Sequence, residues 1–191
     1  MELGCLARVS GNEGVGNVRR RVTSLAREWR MNINEAVLYL GCFGIGVIAG
    51  LRSLTAPALV SWAAHLGWLD LSGSRLSFLG STSTTTVLTL LALGELIADK
   101  LPKTPNRTDA GPLLFRIITG AFSGVAICIS AQQSRVFGLI LGGLGAPLGA
   151  LTGYELRRRL VRNLGMPDFP VALVEDIVAI GFGILLVSHL F

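Results

Sequence analysis

The sequence predicts an all-α integral membrane bundle of about five transmembrane helices, or six if the first apolar run is split. Two observations support this fold class. Of the 191 residues, 51% are hydrophobic and only 15% are charged, whereas soluble domains carry about 25% charged residues. The hydrophobic residues also fall into long runs between short charged stretches, and the mean hydropathy is +0.60. The length limits the chain to one membrane domain with a handful of spans.

Four of the predicted helices correspond to plain apolar runs. The first of these is short, but the uncharged Ser/Thr string at 81–86 extends it to about 18 residues, which is enough to cross a bilayer. The runs cover residues 87–98, 113–131, 136–156 and 171–191.

The remaining predicted helix, over residues 36–64, is too long to be straight. A continuous helix over 35–62 would extend roughly 42 Å, but a bilayer core is only about 30 Å thick. Gly50 loosens this run and Pro57 removes a backbone donor. We therefore predict a helix that is broken between Arg52 and Pro57, and a re-entrant piece there would raise the count to six.

The distribution of basic residues predicts the topology. Five spans place the three basic regions on one side, and the opposite loops hold only Arg75 and Arg135. By the positive-inside rule the N-terminus is cytoplasmic and Phe191 is outside. The cations are Arg8, Arg19, Arg20, Arg21, Arg27 and Arg30, then Lys100, Lys103 and Arg107, then Arg157, Arg158, Arg159 and Arg162.

Residues 1–30 are predicted to form a basic N-terminal tail, separate from the transmembrane domain at 31–191. The tail contains neither a span-length apolar run nor a signal-peptide pattern. Three interpretations stay open: a disordered tail, a membrane-surface helix from about Val18, or a true start at Met31. The charge pattern does not predict nucleic-acid binding, and three scattered cysteines do not predict a disulfide framework or a metal knot.

Glycines repeat at four-residue spacing in three of the predicted spans. Residues four apart align on one helix face, and glycine there lets another helix backbone approach closely. The sequence leaves two uses open: packing within the monomer, and homo-oligomerisation through the face of the fourth span. The glycines are Gly46, Gly50, Gly120, Gly124, Gly145, Gly149 and Gly153.

Four carboxylates and one guanidinium are predicted at similar depth near the cytoplasmic face: Glu95, Asp99, Arg116, Glu175 and Asp176. Each charge would cost about 2.5–3.5 kcal/mol at the centre of a span, so these side chains should face the bundle interior. Arg116 is the expected partner of Glu95 or Glu175. Either a functional polar site or a structural salt-bridge cluster fits the pattern, and the surplus of acids favours a cation or proton site.

Arg52 is predicted to lie in the outer half of the first run. It follows 16 uncharged residues after Glu35. Two interpretations are equally compatible with this place: an interfacial arginine that extends outward to water, or a contact to an anion or lipid headgroup beside broken backbone.

Motifs of known enzyme classes are not found. The sequence has no Walker loop, HExxH, GxSxG or paired-aspartate lipid phosphotransferase pattern. We therefore expect no catalytic residues and no cofactor, and consider an enzyme less favoured than a non-enzyme. The sequence leaves open whether a metal is bound.

Three motifs carry a resemblance to a known family: "GLRSLTAPALVSWAA", "LGELIADKLPKTPNRT" and "PDFPVALVEDIVAIG". From Asn32 to the C-terminus, the chain resembles the small bacterial multi-pass membrane proteins grouped as domain of unknown function 4126. The resemblance implies a bacterial integral membrane protein, and we predict that it lies in the bacterial cytoplasmic (inner) membrane. The resemblance implies no activity, and so no catalytic residues.

Three functional hypotheses follow. The first is a transporter, channel or transport accessory with a polar path along the acids, Arg116 and the broken backbone. The second is an intramembrane enzyme that acts on lipid headgroups and holds a divalent metal with the acids. The third is a non-catalytic scaffold that uses the glycine faces. The predicted partners are the lipid bilayer and a second copy of the chain, and the substrate stays unknown.

Overall fold

The computed structural model describes residues 34–99, 109–163 and 168–190. Within these ranges all regular elements are helices, as the composition predicts. A short 3₁₀ helix at Ser77–Gly80 precedes α3. The α-helices are α1 Asn34–Leu51, α2 Thr55–His65, α3 Thr82–Ala98, α4 Ala110–Ser130, α5 Arg135–Asn163 and α6 Asp168–Leu190.

Four of these helices, α1, α4, α5 and α6, are long and apolar enough to cross a membrane. α3 is also an apolar helix, but with 17 residues it is shorter than these four. Many large apolar side chains point outward, for example Leu90, Ile97 and Ile177. A protein in water would bury such residues, and their exposure suits a surface that faces lipid. The predicted fold class, a helical membrane bundle, is confirmed.

The chain divides into two compact units, Met1–Val37 and Leu38–Phe191. In the first unit only the start of α1 is described, and the second holds the rest of the bundle. The predicted basic tail at 1–30, the possible start at Met31 and the cations at 100–107 lie outside the described residues. The boundary between residues 30 and 31 stays a prediction.

The predicted break in the first helix is present. α1 ends at Leu51, and α2 begins at Thr55. Pro57 is the third residue of α2, in the first turn, where a helix has no partner for a backbone N–H in any case. A helix passing straight through would press the proline ring against the carbonyl of Ser53, four residues earlier. The break therefore falls just before the proline.

α1 and α2 run in opposite directions. Ile48, before the break, and Leu59, after it, both lie beside Gly183 of α6. Tyr39, near the start of α1, lies against Gln133 just before α5, with 3.4 Å between Tyr39 Oη and Gln133 Oε1. The chain thus runs down α1, reverses at the break and returns along α2.

This reversal corrects the prediction of a single crossing. Residues 36–64 do not cross the bundle once, because α2 returns for about 16 Å over its 11 residues. Gly41 of α1 packs against Leu190 at the end of α6, so these two residues lie at the same end of the bundle. The count that fits is the alternative of six segments, with the first run split.

Glycines lie where α5 contacts α1 and α4. A Cβ at Gly46 would overlap the carbonyl oxygen of Gly142, and a Cβ at Gly120 would approach the same oxygen. Gly149 lies equally close to the backbone of Val47, on the α1 side. Helix backbones come this near only where side chains are missing.

The remaining glycines of the predicted set behave alike. Gly50 lies against Ala146 and Ala150, Gly124 against Gly138, and Gly145 against the carbonyl of Phe43. Gly153 is buried. An oligomer formed through the α5 glycines would have to displace α1, and the oligomer stays a prediction.

Candidate functional site

The break between α1 and α2 leaves backbone N–H groups that a helix would otherwise satisfy. Glu95 of α3 accepts two of them. Its Oε1 lies 2.7 Å from the backbone nitrogen of Ser53, and its Oε2 lies 2.8 Å from that of Leu54. The carboxylate thus lies at the N-terminus of α2, where a negative charge is also favoured by the helix dipole.

Arg116 of α4 satisfies the other side of the break. Its guanidinium donates to the carbonyl oxygens of Gly50 and Leu51, the latter at 2.9 Å. These carbonyls belong to the last turn of α1, whose acceptors have no partner within the helix. The side chain is buried, so its charge meets the negative end of the α1 dipole away from water.

Arg52 lies at the break itself and forms ion pairs with two acids. One terminal nitrogen contacts Asp99 at the end of α3, and the other contacts Asp176 near the start of α6. The exposed fraction is 0% for the Arg52 side chain, 13% for Asp99 and 5% for Asp176. An arginine keeps its charge under all ordinary conditions, so burial here requires these carboxylates.

These contacts define the polar site: Arg52, Glu95, Asp99, Arg116 and Asp176. Three carboxylates and two guanidinium groups thus meet at the break. Ionisable side chains inside a membrane bundle are typical of ion and proton pathways. We call the end of the bundle with this site the site end, and the opposite one, with Gln133 and Leu190, the far end.

Glu175, the remaining predicted acid, lines a cavity of about 440 Å³ between α5 and α6. Leu51, at the break, and Arg157 line the same cavity, and most of its other lining side chains are apolar. Glu175 thus faces a separate space that begins beside the broken helix. A cavity of this size, with few polar groups, is typical of small-molecule sites.

The structure brings most of the predicted site residues together, with one correction. Arg52 does not lie in the outer half of the first run, away from the acids. Because α1 ends at the site end, Arg52 lies there, against Asp99 and Asp176. The described contacts of Arg116 are with backbone carbonyls, whereas the sequence suggested Glu95 or Glu175 as its partner.

The hydrogen bonds of Glu95 and Arg116 with backbone groups at the break were not predicted from the sequence. A signal for them was present, because Gly50 and Pro57 indicate a broken helix, and a buried break needs polar partners. The pairing of Cys42 with Cys128 was also missed; their Sγ atoms lie 3.4 Å apart between α1 and α4. The two cysteines are 86 residues apart in the sequence, and no sequence pattern predicts a contact over such a separation.

No set of three His, Cys, Asp or Glu side chains in the described ranges is placed to hold a metal ion. The acids of the polar site are directed at Arg52 and at backbone N–H groups instead. The hypothesis of a metal-dependent lipid enzyme therefore finds no support in this part of the chain.

The comparison with known proteins gives one result. A family model described as "Domain of unknown function (DUF4126)" matches residues 39–189. This range includes the whole polar site and both cavity-lining helices. No curated protein and no solved structure matches the chain.

Proposed function

The chain belongs to the family of the domain of unknown function 4126, and we propose that it is a small membrane transport protein whose polar site exchanges a proton or small cation. One observation carries the proposal: a wholly buried arginine is bound by carboxylates from two other helices, beside a broken helix. Broken helices at membrane depth generally line binding sites, because their free backbone groups need polar surroundings.

The acids give the site groups that can take up a cation. Asp99 and Asp176 both contact Arg52, and Asp99 is the more exposed of the two. A proton or small cation that enters next to Asp99 would compete with Arg52 for its carboxylate. Intramembrane acids with this arrangement serve as proton relays and coupling-ion sites in transporters.

Arg52 also gives the site a way to change shape. Its two ion pairs connect the break to α3 and to α6. Protonation of one acid weakens one connection and leaves the other, so that α3 and α6 can be released in turn. Because a conformational change needs a difference in binding free energy between two states, this alternation would couple cation uptake to helix movement.

We further propose that the site end faces the cytoplasm of a bacterial inner membrane. The sequence segments that flank the site end, 100–107 and 157–162, hold seven cations, whereas the far-end loops hold Arg75 and Arg135. Both the start of α1 and the end of α6 would then face outward. This assignment replaces the cytoplasmic N-terminal end that five spans required.

The test is cation flux in proteoliposomes. The purified protein is reconstituted around a pH-sensitive dye, and inward gradients of Na⁺, K⁺ or protons are imposed. We expect flux well above that of protein-free vesicles, reduced at least tenfold in Asp99→Asn. Glu155→Gln, which removes an exposed carboxylate on α5, is the control and should transport like the unchanged chain.

Failure of the unchanged protein to exceed protein-free vesicles for any of these cations would refute the proposal. So would equal flux in Asp99→Asn and the unchanged chain. Glu95→Gln gives a further check. This substitution weakens the hydrogen bonds from the backbone N–H groups of Ser53 and Leu54, which should disturb the break and reduce flux.

A scaffold is the second candidate, and one observation favours it. Glu95, Arg116 and Arg52 all have partners that stabilise the break, as a purely structural brace would. In that case Asp99→Asn would lower the amount of protein in membranes, with no effect on flux per molecule. Measuring abundance and flux on the same samples separates the two.

A further inference from the structure

A second cavity, which shares no lining residue with the polar site, opens beside α4. Its volume is about 540 Å³, and its wall includes Ile117, Ile118, Phe122 and Ile129 of α4. Ile118 is exposed on the outer surface of the bundle. The cavity is thus a groove that is open toward the lipid. We call it the α4 groove.

Two arginines line the α4 groove, and no acid is among its described lining residues. They are Arg75, between α2 and α3, and Arg135, the first residue of α5. Neither guanidinium forms an ion pair with a carboxylate in the described part of the chain. Two cations beside one cavity create a field that attracts an anion.

Asp70 is the acid closest to Arg75 in sequence, and it is engaged elsewhere. The hydroxyl and the backbone N–H of Ser72 both donate to its carboxylate. These hydrogen bonds lower the pKa of Asp70 below its usual value. Its position in the same loop therefore does not provide Arg75 with a bound counter-ion.

The length of the groove matches one leaflet of a bilayer. From Ile129, near the end of α4, to Ile117 is 12 residues, or roughly 18 Å along the helix axis. Half of a bilayer core is about 15 Å. Arg135 follows the end of α4 by five residues, so the charged part of the groove lies at the far end and the apolar part runs inward.

We propose that the α4 groove binds a phospholipid with a net negative headgroup from the leaflet at the far end. Arg75 and Arg135 contact the phosphate, and one acyl chain lies along Ile118, Phe122 and Val125. Arginine suits this role because its planar guanidinium matches phosphate oxygens in a bidentate manner. The site is separate from the polar site, so its existence does not depend on the proposed transport.

Lipid-dependent thermal stability of the purified protein in detergent tests the proposal. Phosphatidylglycerol and phosphatidylcholine with identical chains are titrated against the unchanged protein and Arg75→Gln/Arg135→Gln. Each cation at an anionic surface adds roughly fivefold in affinity, so we expect a preference of about 25-fold for phosphatidylglycerol that the double variant loses. Arg158→Gln/Arg162→Gln removes the same charge at the site end and should keep the preference.

A groove-filling variant and native mass spectrometry complete the test. Val125→Trp should weaken binding of both lipids, because it occupies the place of the acyl chain while both arginines remain. In the mass spectrum, the fraction of protein with bound phosphatidylglycerol should be lower for Arg75→Gln/Arg135→Gln than for the unchanged protein.

Three results would overturn the proposal. They are equal affinity of the unchanged protein for the two lipids, an undiminished preference in Arg75→Gln/Arg135→Gln, and equal stabilisation by inorganic phosphate alone. The last would indicate a site for a free anion instead of a lipid.

Discussion

At the scale of single residues, the polar site is explained by backbone chemistry as much as by charge. Glu95 lies at the N-terminus of α2, and Arg116 lies at the C-terminus of α1. Each therefore interacts with the end of a helix dipole of opposite sign. The sequence predicts that these charges share one depth. It does not reveal their backbone partners, which are N–H groups that donate to Glu95 and carbonyl oxygens that accept from Arg116.

Arg52 should be the most sensitive residue of the site. Arg52→Met removes the guanidinium that both Asp99 and Asp176 contact, and removing one partner of a buried ion pair costs about 3–5 kcal/mol. We expect that loss in the free energy of unfolding, measured in mixed micelles. Arg52→Lys should recover only part of it, because one ammonium cannot reach both acids as the two guanidinium nitrogens do.

The exposed pair on α5 is the matched control for Arg52. Arg159 Nε lies 2.8 Å from Glu155 Oε1, and both side chains are largely exposed. Arg159→Met should change the unfolding free energy by about 1 kcal/mol or less. Similar losses at Arg52 and Arg159 would show that the central ion pairs do not hold the bundle.

Glu95→Gln tests whether the Glu95 carboxylate stabilises the break. An amide can accept from only one of the Ser53 and Leu54 N–H groups, and its NH₂ group would face the other donor. A buried donor left without its acceptor costs about 1–3 kcal/mol, and we expect a loss of this size. Hydrogen exchange at Ser53 and Leu54 should rise together; unchanged protection there would contradict the assignment.

At the scale of elements, the break and the glycine contacts differ in how well the sequence predicted them. The break was predictable, because Pro57 cannot sit in a helix that continues through Ser53. The direction of α2 after the break was not, since eleven mostly apolar residues fit an onward helix as well as a return. Only the contacts with α6 and the 3₁₀ helix, such as Ser61 Oγ to the Leu79 carbonyl at 2.6 Å, decide between them.

Glycine-to-alanine substitutions should separate packing from helix propensity. At Gly46 a Cβ would overlap the backbone of α5, so Gly46→Ala should force α1 and α5 apart and destabilise the protein. At Gly94 of α3 a Cβ meets nothing within 4 Å. Gly94→Ala should therefore stabilise by about 0.5–1 kcal/mol, the usual gain for alanine in a helix.

Thermal unfolding of both variants in the same detergent provides the comparison. We expect the unfolding temperature to fall in Gly46→Ala and to rise in Gly94→Ala. An unaffected Gly46→Ala would show that α1 and α5 do not approach this closely, and a destabilised Gly94→Ala would show that Gly94 does not face open space.

At the scale of the whole molecule, reversal at the break determines the topology. The positive-inside rule predicts that the site end, flanked by the loop cations at 100–107 and 157–162, faces the cytoplasm, and this orientation stays a prediction. It could not count segments, because an 18-residue helix followed by an 11-residue one has nearly the composition of one long span. The six-segment arrangement places Gly41 of α1 and the end of α6 together.

Cysteine labelling should reveal this topology in intact cells. In a Cys5→Ser background, new cysteines at Asn34 and Ser72 should react with a membrane-impermeant maleimide from outside. A cysteine at Asp109 should react only after the membrane is permeabilised. The native Cys42 and Cys128 are buried and serve as the unreactive baseline. Opposite accessibility at Asn34 and Ser72 would restore the five-span topology.

The most direct test of the central claim replaces the Arg52, Asp99 and Asp176 cluster with apolar residues of similar size. Replacing a complete buried ion cluster in this way is often neutral or stabilising, so Arg52→Met/Asp99→Leu/Asp176→Leu should fold with little loss of stability. If the cluster serves cation exchange, proteoliposomes with this variant should show no flux above protein-free vesicles. A folded triple variant that transports as fast as the unchanged chain would contradict the claim and leave the cluster as a brace.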